Sequence, residues 1–226
     1  VPGIVYCGGQ GGDQGTRALV NNLFSSSIVG EDGKWNIDAN GVKALEQLKA
    51  MYDAGSLDAG FDMAAADELQ KFQQETAAMT FCWGTSNAKS YASEDFTQIS
   101  VPFPSDDGKP ELEYLVNGFC VFNNKDDAKI DAAKRLIAFI CDDAEWGPKS
   151  VKQSGAFPVR TSFGNLYEGD EEMSLLASWI GYYGPYYNTR AGFATMRTEW
   201  WNMLQRVFQE GDVQAQVDIF NTNANA

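Results

Sequence analysis

The sequence predicts an α/β fold, and three observations carry that reading. Apolar runs of strand length recur along the chain, amphipathic helical patterns separate them, and glycine, proline or asparagine marks many of the joins. With 226 residues the chain has room for one large domain or two small ones. No internal repeat is visible.

The elements follow in order. "GIVYC" reads as a short buried strand that runs into the glycine-rich loop "GGQGGDQG" and a helix over 16–24. That loop lacks the GK[ST] ending and the spacing of a nucleotide cradle, so it reads as a connection. "DANGVKALEQLKAMYDAGSLD" is the clearest helix, with Val42, Leu45, Leu48 and Tyr52 on one face. Asp38 or Asn40 caps its start, and Gly55 stands where a helix-ending glycine belongs. A helix over 65–74 precedes the strand "AAMTFCW", and "TSNAKSYA" starts a short helix at Thr85 or Ser86. "TQISVPFP" is a strand ending at two prolines. "LVNGFCVFN" is a strand interrupted by Asn117 and Gly118, where a glycine marks a bend or a close backbone approach.

"DDAKIDAAKRLIAFICDD" is strongly amphipathic: Ala133, Leu136, Ile137 and Ile140 form its apolar face, and Asp126 or Asp127 caps it. A helix over 144–153 and the irregular crossover "SGAFPVRTS" come next. Helices over 171–182, 192–209 and 212–221 complete the chain, with the tyrosine-rich turn "GYYGPYYNTR" between the first two.

Composition excludes several functions. There are 31 acidic against 17 basic residues, a formal charge of −14, which disfavours nucleic acid and a polybasic membrane anchor. Histidine is absent, which removes Ser-His-Asp and Cys-His catalysis and the usual mixed zinc sites. No cofactor and no metal is implied. Cys7, Cys82, Cys120 and Cys141 match no zinc or redox spacing; apolar surroundings make buried free thiols the expectation. No apolar run reaches membrane-spanning length, and the opening residues read as a strand rather than a secretory leader.

Six segments in one order carry a family resemblance: "LKAMYDAGSLD", "ETAAMTFCWGTSN", "VPFPSDDGKP", "NGFCVFNNKDDAKIDAAKRLIAFICDD", "GAFPVRTS" and "TEWWNMLQRVFQEGD". Together they resemble the extracellular solute-binding proteins of ABC importers, the family that includes maltose-binding protein and other sugar binders. The resemblance runs from about residue 28 to the end.

It implies a periplasmic-binding-protein-like (type II) fold of two α/β lobes that clamp ligand by hinge motion. It also implies that the chain lacks most of the N-terminal lobe. Residues 1–116 and 157–226 are then expected to form the second lobe. Residues 117–156 are expected to be a strand–helix–helix piece of the first, its apolar face mobile or covered by a neighbouring chain. The partners implied are a carbohydrate, an oligosaccharide in the leading reading, and ABC permease subunits. The setting implied is extracytoplasmic, periplasmic or lipid-anchored at the cell surface, with membrane contact only through an anchor or the permease.

Sugars are held by aromatic rings against pyranose faces and by planar polar groups on hydroxyls. Counting from Met79, the family's cleft tryptophan falls at Thr85; here the tryptophan is Trp83. Alternation puts 83 and 85 on one side of a strand, so both are candidates. Asn117 and Gly118 fall where the family chain crosses between lobes. Trp200 and Trp201 point about 100° apart on a helix, and Trp200 is the one expected to stack. Tyr186, Tyr187, Gln14 and Arg160 are further candidates, with Arg17 beside them. Glu199, next to Trp200, is the feature that points to a polyamine as the alternative ligand; a peptide is another. The remote alternative is a glycoside hydrolase using Glu111 and Glu113.

Overall fold

The computed structural model describes residues 2–6, 13–63, 67–81, 84–86, 93–113, 118–184 and 187–226. The chain divides into two compact units. The first holds 1–83, 101–114 and 181–226; the second holds 84–100 and 115–180. The segment 117–156 therefore clusters with 84–100 and 157–180.

In the first unit, β1 (Ile4–Val5) pairs in parallel with β2 (Leu57–Asp58), Ile4 facing Leu57. Ile4 also bridges Met79 in parallel. The strand expected at 77–83 is thus reduced, among the described residues, to one bridge. Between β1 and β2 lie α1 (Asp13–Leu23) and α2 (Ala39–Asp53); α3 (Asp67–Gln73) follows β2. Asp38 is the N-cap of α2 and accepts from the Gly41 N–H at 2.8 Å, and Gly55 ends the helix at φ 73°.

The core forms where α7 (Phe193–Glu210) packs on α8 (Val213–Asn223) and α2. Met196, Trp200, Met203, Leu204, Val207 and Phe208 recur at three- and four-residue spacing along α7, and all are buried. They meet Leu45 and Leu48 of α2 and Val217 and Phe220 of α8 in one cluster. Each such large apolar side chain contributes about 2 kcal/mol through burial.

α3 ends with the same turn as α2, where the Ser56 N–H reaches back to Met51 O at 3.0 Å past Gly55, but with glutamate in place of that glycine. Thr76 N–H reaches back to Lys71 O at 2.9 Å, and the residue between, Glu75, takes φ 57°. A left-handed conformation disfavours any residue with a Cβ. Glu75→Gly is therefore expected to stabilise the chain by about 0.5–1 kcal/mol, the relief of strain exceeding the added chain entropy. A urea midpoint that falls would contradict this.

In the second unit α4 (Asp127–Asp142) packs on α5 (Trp146–Gln153), and α6 (Glu171–Ser178) lies further along the chain. Asp126 caps α4 and Asp170 caps α6, each through its carboxylate. No residue of α4 is fully buried, and Leu136 and Phe139 of its apolar side are exposed. Phe119, Val121 and Phe122 are exposed as well, and residues 118–123 pair with no strand among the described residues. Among the described residues the strand expected there has no neighbour to supply its ladder. Cys120 is exposed and Cys141 half-buried, both free thiols, so the expectation of burial fails at Cys120.

Asp143 accepts from the backbone N–H groups of Trp146, at 2.8 Å, and Glu145, at 2.9 Å. Those two bonds, Trp146 first, hold its carboxyl below the usual range, with Lys149 adding a smaller pull. A carboxyl lowered in the folded state supports the helix fully above its unfolded value, about 3.9. The support is lost as pH falls through the lower folded value. Amides of α5 should lose protection only in acid below about pH 4, and Asp143→Asn should abolish that dependence in hydrogen exchange.

Candidate functional site

Several sequence-predicted site residues, Trp83, Asn117 and Tyr186, lie outside the described residues. Gln14 belongs to α1, with its side chain also outside them.

The rest can be placed one by one. Thr85 is half-buried in a helical turn with Ser86. The turn rests on Gly155, whose φ is 70° and where a Cβ would come within 3.0 Å of the Ser86 Cα. Only glycine admits that approach. Gly118 is exposed, with open space around its Cα. Arg160 is exposed and forms an ion pair with Asp142. Exposed pairs of this kind contribute little.

Trp200 does not present a ring. Its exposure is 0%, Phe220 meets it edge-on at 5.9 Å, and its Nε1 donates to Thr16 Oγ1 at 2.9 Å. The expectation that Trp200 stacks on ligand is corrected: the side chain belongs to the core, on the same face of α7 as Met196, Met203 and Leu204. Trp201, one residue and about 100° further round, keeps partial exposure. Glu199 is half-buried and accepts from Asn202 and Asn223 amides at 3.4 and 3.2 Å. Its carboxylate is already engaged within the unit.

Tyr187 is also buried. Arg17 Nε donates to its hydroxyl at 3.2 Å, and the Arg17 guanidinium lies 5.8 Å from its ring centre and 5.7 Å from that of Phe193. Burial, above all, pushes the Tyr187 hydroxyl up, against the lowering effect of Arg17. The other side of Arg17 meets Glu113, Nη2 to Oε1 at 2.5 Å, with both side chains at least nine-tenths buried. Glu113, a carboxylate of the hydrolase alternative, is thus half of an internal ion pair. Thr16 and Arg17 bring Trp200 and Tyr187 to consecutive positions of α1, as supports of the fold.

The sequence offers Arg17 as a ligand candidate or a surface or crossover residue; the structure buries it in the first unit. The signal lay in its neighbours: a charge immediately before Ala18, Leu19 and Val20, all buried, is an anomaly on an apolar helix face. Among the described residues no cluster of His, Cys, Asp and Glu could hold a metal, and no helix is long and apolar enough to cross a membrane.

With this geometry established, comparison with known proteins gives the class. The model of the bacterial extracellular solute-binding protein family matches residues 18–174, more than half of the chain. The chain belongs to that family, whose members act outside the cytoplasmic membrane. A similar solved structure is an ABC transporter solute-binding protein from Thermotoga lettingae TMO bound with alpha-D-tagatose, at a TM-score of 0.73 and 15% identity. The alignment takes in 100% of this chain and 59% of that one, so the fold is that of a periplasmic binding protein and the chain spans part of it. No curated protein matches the chain.

Proposed function

We propose that the chain is part of a binding protein that captures a carbohydrate between two lobes and passes it, without chemistry, to the permease of an ABC importer. Membership of the solute-binding family over residues 18–174 carries this reading. The sugar-bound relative of the same fold and the aromatic content, six Trp and nine Tyr, favour a sugar as ligand. In this proposal 117–156 belongs to the first lobe. The exposed apolar side of α4 and of Phe119 and Phe122 supports that assignment, since such a surface in a binding protein normally covers a sheet. Trp83, Thr85, Asn117, Gly118, Tyr186 and Gln14 remain the proposed contacts. Trp200, Tyr187 and Glu199 are withdrawn as contacts, because the fold already uses them, and Arg160 is held by Asp142.

The test is a thermal-shift screen of the protein, at the full length of its family, against a panel of mono- and oligosaccharides, tagatose included, with spermidine and a peptide mixture beside them. A ligand at 100 times its Kd stabilises the native state by about 2.7 kcal/mol, and one or more sugars are expected to do so. Trp83→Ala is expected to weaken that sugar at least about tenfold, the loss of one stacked ring. Stabilisation by spermidine and by no sugar would transfer the assignment to a polyamine binder.

A further inference from the structure

The chain leaves the first unit after residue 114 and re-enters it at residue 181. The residues just before the exit and just after the return are bound to each other. Leu112 bridges Tyr183 in parallel: the Leu112 N–H donates to Tyr182 O at 2.7 Å, and the Gly184 N–H donates to Leu112 O at 2.9 Å. They fit closely, since a Cβ on Gly184 would stand 3.1 Å from the Glu111 carboxylate.

Both segments are also held by one helix. The buried Asn22 of α1 pairs its amide with the backbone of Glu111, accepting from the N–H at 2.6 Å and donating to the carbonyl at 2.7 Å. One turn earlier, Arg17 binds Glu113 on the outgoing segment and the Tyr187 hydroxyl on the returning one. We propose that Arg17 and Asn22 form a clamp that makes 111–113, 182–184 and Tyr187 a single fixed base, so that conformational change in the chain is absorbed outside those residues.

The chemistry supports a clamp over simple packing. A guanidinium is a planar fork of five donors, and here Nε and Nη2 serve two different segments at once. Lysine offers a point charge on a flexible stem and cannot reproduce both bonds. An asparagine amide that donates to and accepts from one residue fixes that residue's register as a neighbouring strand would.

Hydrogen exchange of the 226-residue chain tests it. In the wild type the amides of Glu111, Leu112 and Gly184 are expected to exchange as slowly as those of α7. Arg17→Lys is expected to speed Leu112 and Gly184 together, at least about tenfold, while α7 and α8 keep their protection. Asn22→Ala, a second variant in case the first does not fold, is expected to speed Glu111 and Leu112 and, through the Gly184 N–H bond to Leu112 O, Gly184 with them. Exchange at Leu112 as fast as in exposed loops of the wild type would overturn the proposal. So would variants that leave these amides unchanged, speed only one of the paired segments, or loosen the whole first unit uniformly.

Discussion

Trp200→Ala is expected to destabilise the first unit by about 4–5 kcal/mol, and to do so with or without any sugar. Two costs combine. The indole at 0% exposure leaves a cavity between α7, α8 and α1 that the surrounding helices cannot close. The Thr16 hydroxyl, which now accepts from Nε1, loses that partner in a buried place. Trp200→Phe separates the two, because it keeps most of the ring and gives up the hydrogen bond; its expected cost is about 2 kcal/mol. Urea unfolding followed by circular dichroism reads both. A stacking ring at a binding face would behave in the opposite way, with stability unmoved by truncation and ligand affinity lost. A change in stability under about 0.5 kcal/mol for Trp200→Ala would restore the ligand-facing reading.

The same residue shows what the sequence could carry and what it could not. Its neighbour relation was legible: adjacent tryptophans on a helix diverge, so one packs and one does not. The choice between Trp200 and Trp201 was also available from periodicity. Met196, Trp200, Met203, Leu204 and Val207 make a continuous apolar stripe, and Trp201 lies off it. The family resemblance pointed to Trp200, the ring that the core holds. For Tyr187 no local pattern could have helped. Its ring packs on Trp35 and its hydroxyl binds Arg17, 170 positions away, and such long-range pairing leaves no mark on a window of a dozen residues.

Helices were read within a few residues of their observed ends, because caps are local chemistry. Asp38, Asp126, Asp170 and Asp212 each accept from an N–H three residues on, and an aspartate before an apolar repeat announces that bond. Strands were read less well. A strand is completed by its neighbours, and apolar alternation says nothing about whether a neighbour exists. "GIVYC" found Leu57 and Met79 as partners. Among the described residues "TQISVPFP" and the described part of "LVNGFCVFN" have none, although their sequences are no less strand-like. The exposed Ile99, Val101, Phe119 and Phe122 are the physical residue of that difference.

The second large effect is expected at the last turn of the chain. Asn221 and Asn225 stand four residues apart along α8 and its end, so their side chains lie one above the other. Each amide pairs with one residue of an extended edge. Asn221 accepts from Ile37 N–H at 2.8 Å and donates to its carbonyl at 3.2 Å. Asn225 does the same with Trp35, at 3.0 and 2.8 Å. Trp35 and Ile37 alternate along one side of the hairpin closed by the Val29–Trp35 bridge, so the two amides complete a ladder that no strand completes. The side chains of Trp35 and Ile37 belong to the buried cluster that also holds Trp200 and Phe220, and their four bonds to the asparagine amides are part-buried. Asn221→Ala and Asn225→Ala should each cost about 2 kcal/mol, one backbone donor and one acceptor left without a partner in each case. The amides bind different residues, but they stand one turn apart and Asn225 Nδ2 also donates to the Asn221 carbonyl at 2.8 Å, so the double variant should depart from the sum of about 4 kcal/mol. Asn221→Leu distinguishes hydrogen bonding from packing. If apolar contact were what docks α8, leucine would match or exceed asparagine in a urea titration; if the ladder does, leucine should be no better than alanine.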